Sequence, residues 1–402
     1  MYEPSLYAIN LSCGYGSKKV FEKISIQCCS GQMIAVLGPN GVGKSTLLRC
    51  LAGLLAPMDG VVYIDGRELH KMRSLEIARK LSVVLTDRKV DELLTVFEIV
   101  AMGRYPYTDA LGNLRDEDIK VVWESLRLVG ASDLAHRYFN ELSDGEKQKV
   151  MLARALAQNP RVIILDEPTS FLDIRNKVEV LHILRRLTRK MGISVIFSTH
   201  DADMALKLCD LIVVMERGGN IKFYRSEEVL GQNILKELYG IRECGYNDKL
   251  MIFEPMVINS DKPLIHIVSG STTGVPLFRL FVKNDIPFSV GVLHENDVDY
   301  YFATAIGAIV ISEKPYTWIS QQKIEMALNL IQNVDFVIDS GFPVGEVNKA
   351  NIDLLNKASS LGKKVISLRP ESEGKKLLCG DVIYCSDIPS IIKMLGNPLN
   401  SR

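Results

Sequence analysis

Short, almost uninterrupted runs of apolar residues alternate with amphipathic stretches along the first part of the chain. The clearest runs are "QMIAVLG" (32–38), "RVIILDEP" (161–168) and "ISVIFSTH" (193–200). Runs of this length, bounded by turn or charged residues, are typical of strands buried on both faces of a parallel sheet. A helix is predicted to begin at Lys44. The alternation of such strands with helices predicts an α/β fold for residues 1–240.

Two other segments of this region have their own patterns. Residues 95–160 are mostly helical in pattern, and we expect a helical subdomain that spans about 88–160. The stretch "DLIVVMERGGNIKFY" (210–224) predicts a hairpin that turns at Gly218–Asn220.

The periodicity lapses over residues 241–263, which we interpret as a linker, and a new alternation begins at residue 264. Its apolar runs predict about six short strands with helices between most of them. The sequence therefore predicts two domains, an α/β domain over 1–255 and a smaller α/β, Rossmann-like domain over 256–402.

Composition narrows the class of protein. The 402 residues are 47% hydrophobic and 24% charged, and the formal net charge is zero, so no general attraction to nucleic acid or anionic lipid is implied. No apolar run approaches the 18 or more residues of a transmembrane helix. The eight cysteines are scattered and form no C-x-x-C pair, which favours free thiols over disulfides or a zinc site.

The loop "GPNGVGKST" (38–46) lies between a predicted strand and a predicted helix and fits the G-x-x-x-x-G-K-[ST] pattern of the Walker A phosphate loop. Glycines in this loop allow backbone N–H groups to surround phosphates. We expect Lys44 to contact the β- and γ-phosphates and Ser45 to bind Mg²⁺. A chance glycine-rich turn is the alternative, and the flanking strand and helix disfavour it.

Acidic and aromatic residues near other strand ends suggest further parts of an ATP site. Asp166 ends an apolar strand and is expected to hold Mg²⁺, whereas Glu167 is expected to polarise the attacking water. His200 ends another strand and is placed to contact the γ-phosphate, although a histidine there is often structural. Tyr15 could stack on adenine. The alternative for Asp166 and Glu167 is a pair of solvated loop carboxylates. The alternative for Tyr15 is a half-buried aromatic residue in a strand.

A second helix start, in "LSDGEKQKVMLARAL" (142–156), has the features of an anion site. Ser143 is a good N-cap, and Glu146 three residues later completes a capping box. Helix N-termini attract anions through free N–H groups and the helix dipole. This helix begins about a hundred residues after the phosphate loop, so its relation to the ATP site needs an explanation.

Four motifs in this order, "GPNGVGKST", "LSDGEKQKVMLARAL", "VIILDEPTSFLD" and "IFSTHD", resemble the ATP-binding subunit of an ABC transporter. The resemblance covers residues 5–240. It implies a P-loop NTPase fold, ATP and Mg²⁺ as cofactors, ATPase activity, and a head-to-tail homodimer in which Ser143, Gly145 and Glu146 contact ATP on the partner's Walker A loop. Asp144 departs from the usual second glycine. The nucleotide-binding residues expected from the Walker A loop are Gly38, Asn40, Gly41, Gly43, Lys44, Ser45 and Thr46.

Within that family, "ARKLSVVL" (78–85) and "LTVFEIVAMGRYPY" (94–107) resemble the ATPases of importers for iron–siderophores, haem and cobalamin. This likeness implies an integral-membrane permease as partner, a periplasmic or surface binding protein as indirect partner, and a location at the cytoplasmic face of the membrane. The usual loop glutamine is replaced by Thr86, followed by Asp87. Thr86 is a candidate Mg²⁺ ligand and Asp87 a possible substitute.

The second domain offers weaker chemical signals. "IHIVSGSTTGVPLFRLF" (265–281) contains Gly270 and Gly274 but no G-x-G-x-x-G, so a plain tight turn is favoured over a dinucleotide loop. His294, Glu295, Asp297 and Asp299 follow a strand, as ligand-binding residues of such sheets often do, although a solvated loop explains them equally well. Residues 264–370 resemble a C-terminal extension of some archaeal cobalamin-importer ATPases. We expect a regulatory domain that senses a corrinoid or a nucleotide at this edge.

The predicted function is an ATPase subunit that powers import of a metal chelate or corrinoid. One alternative is a soluble ABC-type ATPase that remodels nucleic acid or ribosomes. The single ATPase unit, the lack of a basic patch and the permease-type helical block argue against it, and we expect no nucleic-acid partner. Another alternative is a ligand-sensing regulatory ATPase whose output is the C-terminal domain.

Overall fold

The computed structural model describes residues 4–85, 93–109, 111–229, 244–247, 252–257 and 262–395. The chain divides into two compact units, Met1–Gly240 and Ile241–Arg402. This division falls before the predicted boundary at 255/256. No helix among the described residues has both the length and the apolar character needed to cross a membrane.

The first unit contains an antiparallel sheet in the order β2-β1-β4-β5. Its strands are β1 (Pro4–Tyr15), β2 (Lys18–Cys29), β4 (Asp59–Ile64) and β5 (Arg67–Glu68). Buried and exposed residues partly alternate along β1 and β2, as expected when one face packs on a core and the other meets solvent.

The central sheet of the first unit has the strand order β10-β9-β3-β8-β7-β6 in the described part of the chain. These strands are β3 (Met33–Leu37), β6 (Leu81–Val84), β7 (Val162–Leu165), β8 (Ser194–Ser198), β9 (Leu211–Met215) and β10 (Ile221–Arg225). All neighbours are parallel except β9 and β10, which form the predicted hairpin. Strands β3, β7 and β8 are buried along their whole length, which confirms the interpretation of the apolar runs.

Residues 96–157 are mostly helical, as the pattern predicted, and the described helices of the first unit pack against its sheets or against one another. They are α1 (Lys44–Leu51), α2 (Ser74–Ala78), α3 (Val96–Ala101), α4 (Asp116–Val129), α5 (Asp144–Ala157), α6 (Ile174–Met191), α7 (Ala202–Leu208) and α8 (Ser226–Val229). Short 3₁₀ helices occupy Leu69–Lys71, Met102–Tyr107, Ser132–Leu134 and Phe139–Glu141. The helix predicted to begin at Lys44 does so.

One cysteine pair departs from the expectation of free thiols. Cys13 of β1 and Cys50 of α1 are joined in a disulfide, with their Cα atoms 6.9 Å apart. Both residues are fully buried in the core between the antiparallel sheet and α1. The pairing is produced by the tertiary packing of two elements, which cysteine spacing along the chain does not reveal.

The second unit begins with an antiparallel pair, β11 (Cys244–Asn247) and β12 (Ile252–Pro255), within the segment interpreted as a linker. A parallel sheet follows in the order β15-β14-β13-β16-β17-β18, as far as the structure describes it. Its strands are β13 (Ile265–Val268), β14 (Phe288–His294), β15 (Ile309–Glu313), β16 (Phe336–Asp339), β17 (Lys364–Ser367) and β18 (Val382–Tyr384). The predicted set of about six strands is confirmed.

In the described part of the second unit, helices alternate with these strands. They are α9 (Val275–Lys283), α10 (Val298–Ala305), α11 (Gln321–Ile331), α12 (Ala350–Ser360), α13 (Glu371–Leu377) and α14 (Ile388–Leu395). Separate apolar clusters fill the two faces of the sheet. The strand order is that of a Rossmann-like sheet, 3-2-1-4-5-6, which places a crevice at the carboxyl ends of β13 and β16.

Candidate nucleotide site

The phosphate loop connects the buried strand β3 to helix α1. Gly41 and Gly43 have φ values of 76° and 112°, which a residue with a side chain rarely adopts. A Cβ atom at Gly43 would also lie only 2.3 Å from Val20 Cγ1. The backbone N–H groups of Gly41, Gly43 and Lys44 donate no hydrogen bond to any group that the structure describes. The loop therefore has the open donors that an anion requires.

Lys44 lies at the start of α1 with its ammonium folded over the loop. Its Nζ donates to the carbonyls of Gly38 and Pro39 at 2.9 and 3.1 Å, and lies 3.4 Å from His200 Nε2. Burial lowers the pKa of Lys44, while the nearby Glu167 carboxylate opposes this shift.

The two acids after β7 occupy different environments. Asp166 is buried, and the Ser198 hydroxyl donates to its Oδ1 at 2.7 Å. Glu167 has a φ of 48°, and its N–H donates to Ser198 Oγ at 2.9 Å. A non-glycine residue in this region is uncommon and often occurs at functional sites. Ser198 thus fixes both acids, a role that sequence reasoning missed even though "FSTHD" contains it.

Glu167 and His200 form a close polar pair. Glu167 Oε1 lies 2.7 Å from His200 Nε2, and the Ser170 hydroxyl donates to Glu167 Oε2 at 2.8 Å. Burial raises the pKa of Glu167, but the hydrogen bond from Ser170 and the interaction with His200 outweigh it and lower the pKa overall. Glu167 is therefore held as a carboxylate, the form in which it can accept a proton.

The order β3-β8-β7 explains why these residues meet. Lys44, Glu167 and His200 each follow one of three adjacent parallel strands, so their side chains converge at one edge of the sheet. Ser45 and Thr46 follow Lys44 in α1. Tyr15 ends β1 with 52% of its surface exposed, and its predicted stacking on adenine stays a prediction.

The signature helix α5 begins as predicted, with a capping box. Ser143 Oγ accepts from the Glu146 N–H at 3.4 Å, and Glu146 Oε2 accepts from the Ser143 N–H at 2.9 Å. This backbone hydrogen bond lowers the pKa of Glu146. A Cβ atom at Gly145 would lie 2.5 Å from the Asn176 side chain, so the glycine permits close packing against α6.

Asp144, the departure from the usual glycine, lies beside the acids of its own chain. It lines a cavity of about 210 Å³ together with Leu85, Asp166 and Glu167. The next residues along the chain, Thr86 and Asp87, lie outside the described residues, so the predicted Mg²⁺ role of Thr86 stays a prediction.

The corresponding edge of the second unit is arranged differently. The Ser271 N–H donates to the Asp297 carboxylate at 2.8 Å, and the Gly274 N–H donates to Asp299 Oδ2 at 2.9 Å. Burial raises the pKa of Asp299 to about 6. Thr273 Oγ1 lies 2.6 Å from Ser340 Oγ across the crevice. The chain's own carboxylates therefore occupy positions that phosphate oxygens would take.

The outer residues of the predicted second-domain cluster serve local structure. His294 Nε2 lies 2.8 Å from the carbonyl of Thr317, and the Ser312 hydroxyl lies 3.3 Å from Glu295 Oε1. These contacts connect the end of β14 with β15 and with the loop that follows β15.

Comparisons with known proteins agree with this geometry. Residues 21–170 match the ABC transporter family, and residues 288–386 match the MJ0874 family. The chain is 40% identical to an uncharacterized ABC transporter ATP-binding protein of Methanocaldococcus jannaschii, with 71% of this chain and 98% of that protein covered. It is 33% identical to the iron(3+)-hydroxamate import ATP-binding protein FhuC of Bacillus subtilis, with coverage of 59% and 88%.

A third relative and two solved structures extend the likeness. The cobalamin import ATP-binding protein BtuD of Halobacterium salinarum is 32% identical over 305 residues, with coverage of 74% of this chain and 76% of that protein. A transporter described as of metal-chelate type, in an inward-facing conformation, has a chain that is 27% identical with a TM-score of 0.54, covering 63% of this chain and 98% of that one. The ATP-binding cassette MJ1267 in its ADP conformation is 26% identical with a TM-score of 0.54, at 60% and 100% coverage. The chain therefore belongs to the ATP-binding subunits of ABC transporters, and it is a nucleotide-binding ATPase of that family.

Proposed function

We propose that this ATPase powers an importer whose cargo is a metal chelate or corrinoid such as an iron–siderophore, haem or cobalamin, and that a corrinoid is the favoured cargo. The observation that carries this proposal is the match to the Halobacterium BtuD over 305 residues, a span longer than the first unit. The match to FhuC covers 237 residues and supports the wider class of cargo.

Within the ATP site, each residue has a role that follows from its position. Lys44 and the N–H groups of Gly41 and Gly43 bind the phosphates, and Glu167 accepts a proton from the attacking water. His200 holds Glu167 in place at 2.7 Å and contacts the γ-phosphate. Tyr15 stacks on the adenine base.

The side-chain oxygen atoms close to the phosphate loop suit Mg²⁺, which prefers oxygen ligands. The Ser45 hydroxyl and the buried Asp166 carboxylate, oriented by Ser198, would hold the ion. The bound ion would neutralise charge on the phosphates. Thr86 is a further candidate ligand.

The signature helix completes the site of a second copy of the chain. Its N-terminus has a capping box formed by Ser143 and Glu146, and Gly145 is buried between them in the first turn. In a head-to-tail dimer, Ser143, Gly145 and Glu146 contact the γ-phosphate bound to the partner's phosphate loop. This role explains why the chain has a second anion site about a hundred residues after its own phosphate loop.

A permease is the proposed membrane partner, with a binding protein delivering cargo to it from outside. The helical subdomain exposes large apolar side chains, namely Leu93, Met102, Tyr105 and Leu111, at 77%, 50%, 72% and 86%. Exposed apolar residues gathered on one subdomain support protein docking. The subunit would then lie at the cytoplasmic face of the membrane.

We further propose that the second unit is regulatory. It has its own sheet and two apolar clusters of its own, which supports independent folding. Since Asp297 and Asp299 accept from the N–H groups that would bind phosphate, a corrinoid is favoured over a nucleotide as the ligand sensed there.

The direct test is ATP-driven uptake by the chain reconstituted in vesicles together with its candidate permease. Labelled cobalamin, a ferric hydroxamate and haem are compared, with the Glu167→Gln chain as the inactive control. We expect ATP-dependent uptake of cobalamin. Uptake of none of the three, with ATPase activity stimulated by DNA or ribosomes instead, would reject the proposal.

A further inference from the structure

A cleft of about 660 Å³ separates the end of helix α4 from the outer face of helix α6. Five cationic side chains line it, one from α4 and four from α6: Arg127, Arg185, Arg186, Arg189 and Lys190. The whole chain has a net charge of zero, so this concentration of positive charge is local rather than a consequence of composition.

Acidic residues offset only part of this charge. Glu179 also lines the cleft, but Lys149 already pairs with it at 2.7 Å. Arg189 pairs with Asp210 at 2.5 Å. Among the described residues, Arg127, Arg185 and Lys190 form no ion pair. The cleft therefore retains an excess of positive charge.

Helix dipoles account for some of these cations but not for all of them. Arg127, Arg189 and Lys190 occupy the last turns of their helices, where a cation is favourable. Arg186 donates to the carbonyl of Leu128, which satisfies a group at the end of α4. Arg185 lies a turn before the end of α6 and has neither role. Placing Arg185 beside the other cations of the cleft costs free energy because like charges repel. A bound anion would remove this repulsion.

The chemistry of the cleft suits a small anion. Arginine forks match the paired oxygens of phosphate and carboxylate. The buried side chains of Val129 and Ile183 line the cleft beneath the cations and limit hydration there. The volume lies in the range of small-molecule sites. We propose that this cleft binds a small anion carrying at least two phosphate or carboxylate groups.

This site is separate from the ATP site. Helix α6 is followed directly by Gly192, whose carbonyl accepts from the Gly31 N–H at 3.0 Å, just before the amino end of β3. The phosphate loop lies at the carboxyl end of the same strand. At about 3.3 Å per residue, the length of β3 alone puts roughly 16 Å between these two ends. An anion in the cleft would bridge α4 and α6, and so would connect the helical subdomain with the sheet.

The test is calorimetric titration of the full chain with inorganic pyrophosphate and, separately, with citrate. The ATP site is first filled with a non-hydrolysable ATP analogue and Mg²⁺. The double variant Arg127→Glu/Arg185→Glu is compared with Lys120→Glu, which reverses an exposed charge on α4 away from the cleft. The milder variant Arg185→Gln is measured as well, and circular dichroism verifies that each variant folds.

We expect wild type and Lys120→Glu to bind at least one probe with equal affinity, the double variant to bind it at least about tenfold more weakly, and affinity to fall with added salt. Binding of pyrophosphate alone would indicate a phosphate ligand, and binding of citrate alone a carboxylate ligand. Equal binding by all variants would mean an adventitious ion only and would overturn the proposal. Binding of neither probe, with binding only to phosphatidylglycerol vesicles, would overturn it in favour of a membrane surface.

Discussion

In both units, a loop that contains glycine follows a central strand of a parallel sheet and leads into a helix. After β3, the N–H groups of Gly41 and Gly43 have no acceptor among the described residues, and Lys44 lies beside them. After β13, the N–H groups of Ser271 and Gly274 already donate to Asp297 and Asp299. The N–H groups of the first loop are open to an external anion. Those of the second loop already bind two carboxylates of the same chain.

This difference shows why the fold class alone does not assign a function. Both sheets direct a loop and a helix N-terminus toward their carboxyl edge, where ligands of α/β proteins bind. The placement of two carboxylates decides whether phosphate can use that edge.

Replacing Glu167 with glutamine should reduce ATP turnover by about 10²–10⁴-fold, because the amide cannot accept the water's proton. ATP binding should persist, since Lys44 and the loop are unchanged. Steady-state hydrolysis and nucleotide binding are measured together. The matched change at the second edge, Glu295→Gln, should leave turnover at the wild-type value. Normal hydrolysis by Glu167→Gln would remove this residue from the proposed mechanism.

Asp299 should make the stability of the second unit depend on pH. Its pKa is raised from 3.8 to about 6, so the folded state keeps a proton that the unfolded state loses. The contribution of Asp299 to stability should therefore be full below about pH 4 and fall by roughly 3 kcal/mol as the pH rises past 6. Asp299→Asn should flatten this dependence, as followed by hydrogen exchange in residues 264–305. The exposed Asp353→Asn is the control, and an unchanged profile in Asp299→Asn would contradict the assignment.

Gly274→Ala should destabilise the second unit by about 1–3 kcal/mol, the usual cost of overpacking. Its Cβ would lie 2.5 Å from both Phe278 Cζ and Ser269 Oγ. Affinity for ATP should not change, because the neighbours of Gly274 all belong to the second unit and include no residue of the phosphate loop. Gly345→Ala, whose nearest neighbour would be 4.0 Å away, is the matched control for thermal unfolding. Equal unfolding temperatures for the two variants would mean that the second loop is not tightly packed.

Ser143→Ala and Thr95→Ala remove equivalent capping boxes, of α5 and α3. Each should cost about 1 kcal/mol in the free energy of unfolding. Only Ser143→Ala should also reduce ATPase activity, because only α5 is proposed to contact the partner's nucleotide. Denaturant unfolding and steady-state hydrolysis separate the two effects. A parallel loss of activity in both variants would indicate a purely structural role for Ser143.

The sequence predicted those parts of the fold that depend on local pattern. Strands β3 and β7 are apolar throughout, β8 has three apolar residues between two serines, and the capping box of α5 is specified by residues three apart. The pairing of Cys13 with Cys50 was missed because it depends on tertiary packing. The β11–β12 hairpin was missed because its strands are short and its sequence shows no clear alternation.

Dependence on tertiary packing also limits what the sequence reveals about the carboxyl edges of the two parallel sheets. The phosphate loop has a sequence pattern because consecutive residues build it. The contacts of Asp297 and Asp299 with Ser271 and Gly274 join residues about 25 apart, and only the packing of α10 beside α9 brings them together. Sequence reasoning placed these acids at the correct edge without revealing that they occupy the anion position.

Photo-crosslinking of the full chain with azido-ATP, followed by peptide mapping, tests the contrast between the two edges most directly. All label should fall within the first unit, in peptides that contain Tyr15 or border the phosphate loop, and Lys44→Ala should abolish it. Specific label in residues 264–299 that persists in Lys44→Ala would contradict the claim that the second edge excludes phosphate.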